Sequence, residues 1–189
     1  MTRTINVPLE PLDETRFSAF GWLLSAGSGP ADFERPGLWN WRLPFQSDAQ
    51  LRLQVMRYGY QPMRLSCLEQ HLCVTEARMP IGDAPAVLIV AQTTDKQCKP
   101  KADTLRAFLM DGRTGIMFRP GVWHGLDCFA LAPPHVDYLF LSDSATEDEI
   151  EALGGPTNGI RTRVYDFLVE EDTEFSVTDP DALLLQGQI

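Results

Sequence analysis

Leu51-Arg52-Leu53-Gln54-Val55-Met56 decides the fold. Leu51, Leu53 and Val55 alternate with Arg52, Gln54 and Met56, a period of two that belongs to a β-strand and not to a helix. Strand-like runs continue downstream at 63–73, 86–92, 104–110, 115–118, 126–131 and 136–141. Gly82-Asp83, Asp111-Gly112 and Pro133-Pro134 supply turn signals between several of them. Many short strands punctuated in this way predict an all-β barrel or sandwich.

Upstream, Asp13 is placed to N-cap a short helix that buries Phe17 and Phe20. Residues 25–30 are rich in Gly and Ser and read as a mobile surface loop, and Arg35-Pro36-Gly37 reads as a turn. Trp39 and Trp41 alternate around Asn40 as on a half-buried strand. Near the other end, Thr146-Glu147-Asp148-Glu149 resembles a capping box leading into Ile150 and Leu153 and closed by Gly154-Gly155. Residues 161–169 look like one more strand. The organisation expected is a single domain over 1–189: an N-terminal helix and loop at 7–37, a barrel over about 38–169, and an acidic tail at 170–189 lying over the surface or a partner subunit.

The bulk numbers narrow the function. A chain of 189 residues with 44% hydrophobic and 22% charged residues is globular, with enough length for one β-barrel core. A formal net charge of −10 argues against nucleic acid and against anionic lipid, both of which need a basic face. The apolar runs are of strand length and far short of a membrane span, and the first twelve residues show no signal-peptide core. Cys67, Cys73, Cys98 and Cys128 form no CxxC pair, which suits a reduced, cytoplasmic protein.

Three histidines are few, so their neighbours carry weight. On a strand, Glu69 and His71 point to one face while Leu68, Gln70 and Leu72 point to the other. Glu76 follows five residues after His71, and His124 closes Gly121-Val122-Trp123-His124. This pattern resembles the two motifs of cupins, and Glu69, His71, Glu76 and His124 would occupy the four ligand places. Two imidazoles and two carboxylates suit a divalent metal such as Ni, Mn, Fe or Zn, with positions left open for substrate. The bland alternative is a set of ordinary hydrogen-bonded core groups, and His135 reads as structural or exposed.

Thr104-Leu105-Arg106-Ala107-Phe108 with Gly112, Gly115 and the GVWH at 121–124, and Leu68-Glu69-Gln70-His71 running on to Thr75 and Pro80, resemble two segments of the ureidoglycolate lyase family. Pro8-Leu9, Phe17, Phe20 and Gly21 fit the family's opening as well. Departures fall at Gln70, Val74, Glu76, Arg78, Met117, Gly125-Leu126 and Ser144, several of them polar or glycine positions that could shape a pocket. The resemblance implies a cupin-like barrel, a homodimer, and release of urea and glyoxylate from a small carboxylated carbinolamide in allantoin and purine breakdown. His124 with Glu69 or Glu76 would share acid and base duties, and Arg78, Arg106 and Trp123 would contact substrate. Two other readings stay open: a metal-dependent cupin enzyme for another small oxo- or hydroxy-acid, and a non-catalytic cupin that binds a small molecule.

Overall fold

The computed structural model of the chain describes residues 2–27, 29–93 and 98–178. It opens with β1 (Arg3–Pro11), the short helix α1 (Glu14–Phe17), β2 (Gly21–Leu24), and the pair β3 (Phe33–Arg35) and β4 (Leu38–Asn40). The middle is β5 (Leu51–Gly59), β6 (Arg64–Leu65), β7 (Cys67–His71), β8 (Glu76–Ile81), β9 (Ala86–Ala91) and β10 (Arg106–Met110). Then come β11 (Gly115–Phe118), β12 (Trp123–Gly125), β13 (Phe129–Ala130) and β14 (His135–Asp143). Helix α2 (Ser144–Ala152), β15 (Thr162–Asp166), α3 (Phe167–Glu171) and β16 (Thr173–Thr178) follow.

Nine strands form one curled sheet in the order β15-β7-β12-β9-β10-β1-β16-β6, with β13 also on β9. Five form a second sheet, β2-β11-β8-β14-β5, and β3 with β4 stand apart as a two-stranded hairpin. Alternation along β9 sends Val87, Ile89 and Ala91 into one core and Ala86, Leu88 and Val90 into the other. A strand buried on both faces needs apolar side chains at every position, which is why 86–91 reads as an unbroken apolar run. Between the sheets lie Phe17, Phe20, Phe108, Ile116, Phe118 and Tyr138. On the far side of the large sheet, its own distant strands and α3 curl back, and Val7, Phe167 and Phe175 close over Leu68, Ile89 and Trp123. The all-β expectation holds.

The flanks take a larger part in the sheet than the sequence suggested. Arg3–Pro11 is a strand, paired in parallel with β10 on one side and β16 on the other. The segment expected as an acidic tail lying over the surface or a partner subunit instead forms the end of α3 and β16 up to Thr178, and residues 179–189 of that tail lie outside the described residues. Its acidic composition hid a period of two: Thr173, Phe175 and Val177 are buried between half-exposed neighbours. The strand expected over 161–169 stops at Asp166, whose carboxylate accepts the Leu168 N–H (2.9 Å) and caps α3.

Helix signals were right in kind and shifted in place. Asp13 caps α1 through the Arg16 N–H at 2.8 Å, and Phe17 and Phe20 are buried as expected. Helix α2 is capped by Asp143 and not by Thr146: the Asp143 carboxylate accepts the Thr146 N–H at 2.8 Å, while the Thr146 hydroxyl is buried with no partner among the described residues. A strand does form there as β4, but it ends at Asn40 before Trp41 and leaves Trp39 60% exposed on the detached hairpin, so it is not the half-buried strand expected. Residue 28 of the expected surface loop lies outside the described residues.

The strand that opened the reading is oriented unexpectedly. Met56 and Tyr58 of β5 pack into the inter-sheet core, whereas Leu51, Leu53 and Val55 are 51%, 62% and 66% exposed on the outer face.

Candidate active site

The site is assembled where three strands of the large sheet meet the start of β8. Strand alternation on β7 places Leu68 in the far core and turns Glu69 and His71 to the opposite side. In register, Glu69 faces His124 of β12, and His71 faces Thr162 of β15. Gly121 introduces β12 with φ of +79°, a left-handed conformation that a side chain would strain, and its N–H donates to the His71 carbonyl at 2.7 Å. That turn delivers His124 beside His71.

The four side chains form a buried cluster, none more than 6% exposed. His71 Nε2 lies 3.2 Å from Glu76 Oε2, and His124 Nε2 lies 3.5 Å from Glu76 Oε2 and 3.6 Å from Glu69 Oε1. The imidazole centroids are 5.3 Å apart. His124 Nδ1 lies 3.1 Å from the Val122 carbonyl. A carbonyl only accepts, so Nδ1 carries a proton and Nε2 is turned to the carboxylates. Phe118 stacks on the His124 ring at 4.6 Å and fixes its plane. His71 Nδ1 lies 3.3 Å from the Thr162 hydroxyl, a contact that no sequence signal marked.

Charge is concentrated here. Glu76 Oε1 accepts from Arg78 Nε at 2.5 Å, two residues along the same strand face. Burial works to raise the Glu76 pKa, but the Arg78 guanidinium, then His124, hold its carboxyl well below the usual range. Burial also opposes ionisation of Glu69, and His124 and His71 bring its pKa below the ordinary value. For His124, burial disfavours the imidazolium, yet Glu76 and Glu69 overcome it and raise its pKa to about 9. Both carboxylates are therefore ionised at neutral pH, facing a protonated His124.

The substrate-contact candidates fare differently. Arg78 is inside the cluster, fully buried, donating also to Cys128 Sγ at 3.3 Å and flanked by the rings of Phe118, Tyr58 and Phe140. Two of the departures noted in the sequence, Glu76 and Arg78, are thus the two halves of one buried ion pair. Arg106 is not brought to the cluster. It lies two strands from His124 on the sheet, roughly 10 Å at ordinary strand spacing. Its guanidinium is engaged by Glu10 and by the Arg16 carbonyl. Trp123 is also displaced: being next to His124 on β12, it points to the opposite face and is buried in the far core. His135 sits on the surface side of β14, 3.7 Å from Asp137.

The donor set fits a cation. Glu69 Oε2, Glu76 Oε2 and His124 Nε2 are buried without a hydrogen-bond partner among the described residues. One ligand atom from each of Glu69, His71 and His124 falls within 4.8 Å of the others. Unpartnered buried polar atoms cost about 1–3 kcal/mol each, and a positive ion among them would remove that cost. Two imidazole nitrogens and two carboxylates suit divalent first-row metals.

Comparison with known proteins bears on most of the chain. The family model described as ureidoglycolate lyase matches residues 4–156. A ureidoglycolate lyase of Azotobacter vinelandii is 27% identical over 125 residues, which cover 61% of this chain and 73% of that protein. The ureidoglycolate lyase of Salmonella enteritidis is 40% identical over 63 residues, and the match spans only 38% of its length and 33% of this chain. Among solved structures, RmlC from Streptococcus suis, in complex with dTDP-D-xylose, aligns with a TM-score of 0.35 and 12% identity, covering 70% of this chain and 63% of RmlC.

Proposed function

The chain belongs to the ureidoglycolate lyase family, and from that premise we propose that it cleaves ureidoglycolate, or a closely similar carboxylated carbinolamide, into glyoxylate and urea. The observation that carries the reading is the buried convergence of two ionised carboxylates on a protonated imidazole. In the substrate one carbon bears a hydroxyl and a ureido nitrogen. A base removes the hydroxyl proton, the C–O bond becomes a carbonyl, the C–N bond breaks, and the departing nitrogen takes a proton. Glu69 and Glu76, both held ionised, are the candidate bases, and the His124 imidazolium is the candidate acid. Arg78 is the cation beside them and would hold the substrate carboxylate.

Glu69, His71, Glu76 and His124 would hold a divalent metal, Ni, Mn, Fe or Zn, whose charge would stabilise an alkoxide oxygen. Two carboxylates against one arginine leave a negative charge for a cation, and a bound metal would take the place of the proton on His124 Nε2. The small-molecule carboxylate is the expected partner, together with a second copy of the chain in a homodimer. Four free cysteines support a reducing, cytoplasmic setting. Among the described residues no helix is long and apolar enough to cross a membrane.

The test is release of urea and glyoxylate from ureidoglycolate by the purified protein, before and after treatment with a chelator. Stereospecific release is expected, with His124→Ala at least about a hundredfold slower. Loss of turnover on chelation, restored by one of the four metals, supports the metal. Full turnover by His124→Ala would remove the acid–base scheme.

A further inference from the structure

Glu76 Oε2 and Ser142 Oγ are both buried with no hydrogen-bond partner among the described residues, and strand register brings the two together. On β14, Tyr138, Phe140 and Ser142 are buried and alternate with the partly exposed Leu139 and Leu141, so Ser142 points between the sheets. Phe140 lies opposite Arg78 of β8, and Leu141 opposite Ala77. One further step along the same strands sets Ser142 opposite Glu76. On the other flank of β8, Glu76 faces Phe118 of β11. The inner face of the five-stranded sheet thus carries a row of Phe118, Glu76 and Ser142, beside a row of Ile116, Arg78 and Phe140. Directly opposed side chains on antiparallel strands have Cβ atoms about 4.5–5.5 Å apart, so the Ser142 hydroxyl and the Glu76 carboxylate line the same space.

We propose that Ser142 is a specificity residue of the candidate active site, its hydroxyl holding the neutral ureido end of the substrate. The assignment rests on the lyase reading and deepens it. Ser142 is fully buried, and a buried hydroxyl without a partner destabilises the fold where an apolar side chain would not. Its neighbour on β5, Arg52, is held by Asp148 of α2 at 2.6 Å and does not serve it. A serine hydroxyl offers one donor and two acceptor lone pairs. A ureido group answers both, with a carbonyl that accepts and N–H groups that donate. The match is to a neutral group: Glu76 is held ionised beside Ser142 and would repel a carboxylate. The charged end of the substrate belongs instead with Arg78, two residues on along the same face of β8. A divalent first-row metal prefers the imidazole nitrogens and carboxylates of the cluster to a neutral hydroxyl. The two ends of the substrate are thereby told apart, the amide end at Ser142 and the carboxylate end at Arg78.

The experiment is steady-state cleavage of ureidoglycolate by the full chain, wild type and Ser142→Ala. Urea, below denaturing concentrations, and glyoxylate are each added as product inhibitors, and thermal melts of both proteins are run alongside. Loss of one neutral hydrogen bond is expected to raise KM and the urea inhibition constant about three- to tenfold. The glyoxylate constant is expected to stay at the wild-type value. Ser142→Ala should melt no lower than the wild type, because the ligand-free protein loses a hydroxyl that had no partner. Urea and glyoxylate constants raised alike, or a lowered melting midpoint, would make Ser142 a structural residue and overturn the assignment. Unchanged constants in a working enzyme would overturn it as well and leave the hydroxyl to a trapped water, with the lyase reading intact. A folded wild type that does not cleave ureidoglycolate overturns both.

Discussion

At the residue scale the least expected group is Thr162. It is fully buried, lies 91 residues from His71 in sequence, and presents its hydroxyl to His71 Nδ1 at 3.3 Å. A partner on one imidazole nitrogen fixes the orientation of the ring, so the opposite nitrogen is aimed at Glu76. Thr162→Val keeps the shape and removes the hydroxyl. It is expected to weaken metal binding about 10–100-fold, as loss of an outer partner does, and Thr162→Ser should recover most of it; isothermal titration with Ni or Zn reads both. Equal affinities in all three proteins would make Thr162 a packing residue only. The Glu76–Arg78 pair predicts a different pattern. Arg78→Met takes the guanidinium from the buried Glu76 carboxylate and should cost about 3–5 kcal/mol, whereas Glu76→Gln/Arg78→Met, which removes both charges, should recover most of the loss. Urea denaturation of the two singles and the double gives the coupling, and additive losses would contradict a desolvated pair.

At the element scale, Glu149 links helix α2 to strand β15. Its carboxylate accepts the N–H groups of Ile160, Arg161 and Thr162 at 2.8–3.0 Å, setting the entry to the strand that carries Thr162. Burial acts to raise the Glu149 pKa, but these three donors lower it below 4.5. The stability that the carboxylate adds is then complete above 4.5 and is lost as the pH falls through the lowered value. Glu149→Gln should be less stable than the wild type at neutral pH, by about 1–2 kcal/mol for weakened charge-assisted bonds, and the gap should close in acid. A gap that is unchanged down to pH 3 in urea titrations would rule this out. In sequence, Glu149 read as the end of a capping box, since a Thr-x-x-Glu spacing is local and visible, whereas its true partners lie eleven to thirteen residues on. The same limit explains what else was hidden. Glu69, His71, Glu76 and His124 were legible because strand alternation and a close hairpin place the first three, and GVWH supplies the fourth. Thr162, Phe118 and Cys128 reach the site through strand pairings and packing that no local pattern encodes. Trp123 and Arg106 stand apart from the cluster, because neighbouring a motif says nothing about which face or which strand a side chain occupies.

At the scale of the whole molecule, the buried cluster should make stability depend on metal. Three unpartnered buried atoms and two ionised carboxylates are a standing cost to the folded state, and a cation held by Glu69, His71, Glu76 and His124 relieves it only when the strands are in place. The unfolded chain brings these residues together poorly, so binding is linked to folding by mass action. At a free metal concentration of 100 Kd the gain is about 2.7 kcal/mol. For a chain of this length each kcal/mol moves the midpoint by about 2–4 °C, so a rise of roughly 5–10 °C is expected. Thermal melts of chelator-treated protein, with Ni, Mn, Fe or Zn added back singly, would show it. His71→Ala should abolish the rise while keeping its own melting transition, which separates binding at the cluster from capture by surface cysteines. If none of the four metals moves the wild-type midpoint, Glu69 and Glu76 face only protons, and the acid–base centre works on its own side chains.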